Sequence, residues 1–314
     1  MIGKNSLFGP IDPATEAGYD DPPPRKGFFT DTSICIGCKA CEVACKEWNE
    51  VPDDGFGMLG MSYDNTGSLN ADTWRHVAFI EQPKRLGEQD PGMRSPTVDL
   101  GMPAMVPGDQ EVVTGTGEKP DFRWLMSSDV CKHCTHAACL DVCPTGSLFR
   151  TEFGTVVVQP DICNGCGYCV PACPYGVIDR RRGEDGTKNV GIAQKCTLCY
   201  DRLGDGQRPA CAQACPTESI QFGDVEELRE RASRRVEKLH EAGIMDARLY
   251  GNDPDDGVGG TGAFFLLLDE PEVYGFPPDP VVTTKDLPAM FNRATAAGVA
   301  LLAGAVVSFL GRRG

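Results

Sequence analysis

Basic charge is scarce in this chain. Lys and Arg number 30 against 45 Asp and Glu, a formal net charge of −15 over 314 residues. That balance cannot build the basic face that holds nucleic acid, and the acid excess reads as a solvated surface. An apolar leader is also lacking. Residues 1–26 are polar and Pro-rich with no h-region, so an extended arm is expected over residues 1–30. No cysteine is left over either: all 16 fall into four groups of four. Such a count in a long chain without a secretory signal does not read as a disulfide framework. No group lacks a member, so nothing points to a three-iron cluster. Regular structure has limited room, because 37 Gly and 24 Pro imply much loop.

The cysteines dominate what is there. The groups are Cys35, Cys38, Cys41 and Cys45; Cys131, Cys134, Cys139 and Cys143; Cys163, Cys166, Cys169 and Cys173; and Cys196, Cys199, Cys211 and Cys215. Groups one and three have the C-x2-C-x2-C-x3-C spacing of bacterial ferredoxins. Groups two and four stretch one loop, to x4 and x11, and keep the same thiolate count. Pro144, Pro174 and Pro216 follow the last cysteine of three groups, whereas Lys46 follows Cys45. Gly37, Gly165 and Gly167 lie between ligands, where positive φ lets backbone N–H groups approach sulfur.

Three closely spaced cysteines can wrap three corners of a [4Fe–4S] cubane. The fourth is carried away as the chain enters a helix, and in two-cluster ferredoxins it ligates the other cluster. Four groups therefore predict two such pairs and four [4Fe–4S] clusters. Four cubanes in one short chain form an electron path, not a catalytic site. A C-x2-C pair is also half of many zinc sites, but zinc motifs rarely add further cysteines at x2 and x3.

The fold class expected is α+β: two ferredoxin-like double-cluster modules, loop-rich insertions and one C-terminal transmembrane helix. The expected divisions run from the arm to residues 31–127, with group one and a long insertion. Residues 128–189 hold groups two and three, 190–223 hold group four pairing with the first, 224–285 a helix, strand and Pro-rich connector, and 286–314 the anchor. Strands are expected over 74–80, 154–158 and 260–269. A helix is expected over 224–242, capped by Asp224, with Leu228, Ala232, Val236 and Leu239 on one face. Residues 294–311 are an uncharged run of 18, about 27 Å as a helix and close to a bilayer's hydrocarbon thickness. Ala300, Gly304 and Ser308 would allow close helix packing. A buried soluble helix is the competing reading. The run holds no His, so it brings no imidazole to a haem. Arg312 and Arg313 favour a cytoplasmic C-terminus and a cluster body on the outer face. Export would then need a folded, signal-bearing partner. Arg293 and Lys285 weigh towards the cytoplasmic face. His133 and His136 sit between ligands, either tuning a cluster or lying exposed. Lys39, Lys132 and Lys195 lie beside ligands, either raising a potential or as solvated charge.

The run CIGCKACEVACKEWN at 35–49 resembles the iron–sulfur β subunit of membrane-bound formate dehydrogenases. The resemblance continues through residues 164–177, 195–223 and 258–280 and the terminal helix. The four-group arrangement alone is shared by electron-transfer subunits of several molybdenum or tungsten bis-pterin oxidoreductases. The resemblance implies that Cys35, Cys38 and Cys41 share a cluster with Cys215, and Cys196, Cys199 and Cys211 with Cys45. It likewise pairs Cys131, Cys134 and Cys139 with Cys173, and Cys163, Cys166 and Cys169 with Cys143. It implies a Mo/W bis-pterin catalytic subunit that oxidises formate. It also implies an integral membrane partner, a cytochrome b or a haem-free quinone-reducing protein. Alternatives are the same wire in a thiosulfate, polysulfide or dimethyl sulfoxide reductase, a free polyferredoxin carrier, or a zinc-stabilised interaction protein.

Overall fold

The structure, a computed structural model, describes residues 13, 17–53, 63, 66–82, 123–183, 187–282, 284 and 287–311. Most of the expected arm, residues 83–122 of the insertion, Lys285, Arg312 and Arg313 lie outside them. In chain order the elements are β1 (Lys26–Asp31), a 3-10 turn (Thr32–Ile34), α1 (Ala40–Asn49), β2 (Arg75–Gln82), β3 (Arg123–Val130), α2 (Ala138–Asp141), β4 (Leu148–Arg150) and β5 (Val156–Val158). They continue with α3 (Cys169–Ala172), β6 (Asp179–Arg180), β7 (Ala193–Gln194), α4 (Tyr200–Gly204), α5 (Ala210–Gln213), β8 (Ile220–Asp224) and α6 (Val225–Glu241). Last come β9 (Arg248–Tyr250), β10 (Ala263–Leu267), a second 3-10 turn (Pro271–Tyr274) and α7 (Leu287–Gly311).

The expected arm ends early. Lys26–Asp31 is an interior strand of a four-stranded sheet in the order β8-β1-β10-β9. β1 runs antiparallel to β8 and parallel to β10. Phe28 and Phe29 are adjacent in sequence and both fully buried, so both sheet faces are covered. Phe29 stacks on Phe264 with centroids 5.5 Å apart. On the same face Asp31 accepts from Arg235 of α6 at 2.9 Å. The opposite face, from which Phe28 projects, turns towards the cysteines. Burying one such side chain contributes about 1.5–3 kcal/mol.

Helix α6 buries Val225, Leu228, Ala232 and Leu239, with Val236 half-buried beside them, which matches the expected face. Asp224 stands at its N-cap without a capping hydrogen bond; its carboxylate pairs with Lys26 across the sheet instead. The Pro-rich connector is not a loose boundary. Tyr274, Phe276 and Val282 are buried, and Phe276 stacks on Tyr250 at 5.2 Å.

Helix α7 carries a span of 23 residues, Ala289–Gly311, with mean hydropathy 1.9 and none of it buried. Its length of about 35 Å suffices to cross a membrane. Among the described residues of this chain the helix packs against no core. Thr284, just before it, donates to Asp141 Oδ2 at 2.6 Å, which ties the start of α7 to the end of α2.

Candidate iron–sulfur centres

The seam between β1 and β8 decides which cysteines meet. Asp31 N–H donates to Ser219 O at 2.8 Å, and Ser219 Oγ donates back to Asp31 O at 2.7 Å. Four residues beyond Asp31 lies Cys35, and four before Ser219 lies Cys215. The seam thus carries the end of group four to the start of group one. Cys35, Cys38, Cys41 and Cys215 line one cavity of about 290 Å³, here site A. Packing of α1 on α5 makes the reciprocal exchange. Burial pushes the Cys45 thiol well up, and Cys196, Cys211 and Cys199 beside it push the same way. These four form site B, where Asn49 Nδ2 reaches Cys45 Sγ at 3.7 Å and Cys199 Sγ at 4.0 Å.

Packing of α2 on α3 repeats the exchange for the middle groups. Cys131, Cys134, Cys139 and Cys173 line a cavity of about 370 Å³, site C. Residues of the β9–β10 loop clamp its first turn: His136 N–H donates to Val258 O at 2.8 Å and Gly262 N–H to Lys132 O at 2.9 Å. At site D, burial pushes Cys169 up to about 11, with Cys163, Cys166 and Cys143 as its sulfur neighbours. Cys143 differs. Burial raises it, but hydrogen bonds from Ser147, Leu148 N–H and Thr145 outweigh that and leave it at about 7.

Neighbouring sites lie within electrostatic reach of one another in the order A, B, C, D. Cys41 of A is raised by Cys211 of B, Cys196 of B by Cys131 of C, and Cys139 of C by Cys169 of D, burial being the largest cause each time. Every cysteine of B is buried, while Cys38 of A and Cys166 of D are exposed.

The first C-x2-C loops of the four groups share one backbone device. Their third residues, Gly37, His133, Gly165 and Leu198, have φ of 63°, 45°, 72° and 59°. The sequence leads one to expect glycine's freedom there in groups one and three. His133 and Leu198 hold the same left-handed turn despite a Cβ, at a cost of about 1–2 kcal/mol. Both are fixed by burial, and His133 Nδ1 accepts from Val156 N–H at 3.1 Å. Burial pushes that imidazole well below its usual range, with Lys195 and Arg25 adding to the effect, so the ring is neutral.

The lysines beside the ligands are not solvated in groups two and four. Lys132 is 1% and Lys195 2% exposed. Lys132 pairs with Asp129 and lies 4.5 Å and 4.8 Å from the ring centroids of Phe276 and Phe265. Lys195 Nζ donates to the carbonyls of Val156 and, at 3.0 Å, Cys196. Three other residues gave no sequence signal as site residues: Ser128, whose hydroxyl lies 3.2 Å from Cys41 Sγ, Glu42, which accepts from Val77 N–H, and buried Arg75. Asn49 is legible in hindsight, one helical turn after Cys45.

The donor set fits cubanes rather than single ions. Among the described residues, no three His, Cys, Asp or Glu side chains converge on a point as zinc requires. The sulfurs of A and C surround cavities instead. Burial also pushes Cys41, Cys139 and Cys196 up to about 12, so thiolates there need a strong positive neighbour such as iron.

Comparison with known proteins agrees. The chain matches the 4Fe-4S dicluster domain family over residues 122–225 and again over 34–147. It is 35% identical over 288 residues to the iron–sulfur subunit of the nitrate-inducible formate dehydrogenase of Escherichia coli, covering 90% of this chain and 83% of that one. The chain belongs to the formate dehydrogenase iron–sulfur subunits. The Haemophilus influenzae formate dehydrogenase iron–sulfur subunit is 38% identical over 256 residues, 80% of this chain and 68% of that one. The B subunit of the anaerobic dimethyl sulfoxide reductase of E. coli is 32% identical over 206 residues, 65% of this chain and 76% of that one. This iron–sulfur subunit therefore carries two dicluster ferredoxin-like domains, binds four [4Fe–4S] clusters and transfers electrons.

Proposed function

We propose that the subunit relays electrons from a formate-oxidising Mo or W bis-pterin catalytic subunit to a quinone-linked membrane subunit. In this reading the four sulfur sets are ligand sets: Cys35, Cys38, Cys41 and Cys215; Cys196, Cys199, Cys211 and Cys45; Cys131, Cys134, Cys139 and Cys173; Cys163, Cys166, Cys169 and Cys143. The clusters supply one-electron redox chemistry over a range of about −700 to +450 mV. The chain holds them in order, buries all four ligands of site B and exposes a ligand of each outer site, Cys38 and Cys166, towards partners.

The observation that carries the reading is the A-to-D order with the tether at Thr284. Thr284 ties α7 to Asp141, which lies between Cys139 of site C and Cys143 of site D. Sites C and D then stand nearest the membrane, and site A faces the catalytic subunit. Helix α7 serves as a single-pass anchor, with the cluster body on the outer face.

The test is anaerobic purification of the native complex, followed by metal analysis and formate-dependent dye reduction. About sixteen irons in this chain plus formate activity are expected. Full iron without formate activity would move the wire to another bis-pterin oxidoreductase, such as a dimethyl sulfoxide reductase. Zinc in place of iron would overturn the reading. Produced without the membrane subunit, the chain truncated after Val282 should leave the membrane fraction with its iron intact while the full chain stays, and retention of the truncated chain would refute the anchor.

A further inference from the structure

Arg75, the first residue of β2, is 1% exposed and stands over the Phe28 ring at 4.8 Å. Its Nη1 donates to Ser128 O at 3.1 Å and Ser128 Oγ at 3.2 Å, and that hydroxyl lies 3.2 Å from Cys41 Sγ. Its Nε and Nη2 are buried and find no acceptor in the protein. Among the described residues no carboxylate pairs with it. The groups it faces are Cys41 of site A and Cys211, Cys196 and Cys45 of site B.

A buried cation without a counter-charge is strongly disfavoured. Two clusters with thiolate ligands on either side would supply that charge and offer sulfur acceptors to the idle N–H groups.

We infer that Arg75 is a positioning and tuning residue lodged between two clusters, donating Nε–H and Nη2–H to their sulfurs and raising the reduction potential of both. A fixed positive charge favours the form with one more electron, and hydrogen bonds to cluster sulfur act in the same direction. Reduction adds one electron to a cluster and leaves the guanidinium unchanged, so no other reactant is needed.

The inference rests on the ligand sets proposed above. Its test is redox titration of the intact complex followed by electron paramagnetic resonance. Signals of A and B are identified by their loss in Cys35→Ala and Cys199→Ala. Arg75→Met should lower the equilibrium constant for reducing A and B by about tenfold or more, which is about 59 mV for a one-electron couple. The signals of C and D should stay in place. Arg75→Lys should recover most of the shift, and Ser128→Ala should move A alone and by less. Should Arg75→Met fail to assemble, the Lys and Ala variants decide. Unchanged potentials with all signals present would overturn the role of Arg75 and leave the ligand sets standing. Marker variants that fail to remove two separate signals would instead overturn the ligand sets.

Discussion

Replacing Cys45 by alanine tests the crossed arrangement most directly. Cys41 and Cys45 both lie on α1 and are buried, one turn and about 6 Å apart along the axis. A ligand set following the sequence would use both at one cluster. The fold instead surrounds Cys45 with Cys196, Cys211 and Cys199 and gives Cys41 a place beside Cys215. Cys45→Ala should therefore damage site B. The loss should be about one iron if a three-iron cluster survives, and about four of sixteen if the cluster is shed. Cys35→Ala and Cys199→Ala serve as references, because Cys35 belongs to site A and Cys199 to site B under either arrangement. The assay is iron analysis with electron paramagnetic resonance on anaerobic complex. The Cys45→Ala spectrum should match that of Cys199→Ala. A spectrum matching Cys35→Ala would refute the crossed sets.

Gly37→Ala should cost about 1–2 kcal/mol from its φ of 63° alone, and its Cβ would lie 2.6 Å from the Phe79 ring. Lower iron occupancy at site A and an earlier melt are the readouts. Phe29→Ala should destabilise the sheet by about 3–5 kcal/mol, seen as a lower denaturant midpoint by circular dichroism. Asp256 tests a pH effect: burial raises its carboxyl above the usual value, against hydrogen bonds from Val258 and Gly260 N–H at 2.9 Å each. The folded state then holds this proton more tightly than the unfolded chain does. Its contribution favours the fold at low pH and is lost as pH rises from the ordinary carboxylate value through the raised one. Asp256→Asn keeps an acceptor and should melt no lower than wild type at neutral pH. Its advantage should shrink on acidification; a lower melt at neutral pH would show that the charge is wanted.

The chain's chemistry was legible because cysteine spacing is local. Three ligands of most sites come from one short run, and glycines at 37 and 165 mark two of the four left-handed turns. The helical face of α6 was legible for the same reason, since its period lies within one segment. What escaped depends on distant neighbours. β1 follows a polar, Pro-rich stretch and looks like its continuation, but Phe28 pairs with Ala263 across most of the chain. Lys132 reads as a surface charge until the rings of Tyr175, Phe265 and Phe276 close around it. Leu198 offers no hint of a positive φ, because burial rather than residue type enforces the turn. Arg75 is one arginine among many until β2 and β3 carry it between two sulfur sets.

The seam joining Asp31 to Ser219 also sets a timetable. Ribosomes add about 5–20 residues per second, so Cys45 emerges on the order of ten to thirty seconds before Cys215. The cysteines of sites C and D all lie within residues 131–173 and are present as soon as that stretch is synthesised, although the β9–β10 loop that clamps site C follows later. Sites A and B must wait for the far end of group four, and β1 waits longer still for β10. During translation the earliest cysteines are thus the last to be closed, and iron delivery to sites A and B becomes a late event. A chain interrupted before Cys196 would carry all the cysteines of sites C and D and an open, oxidisable set of thiols at its start.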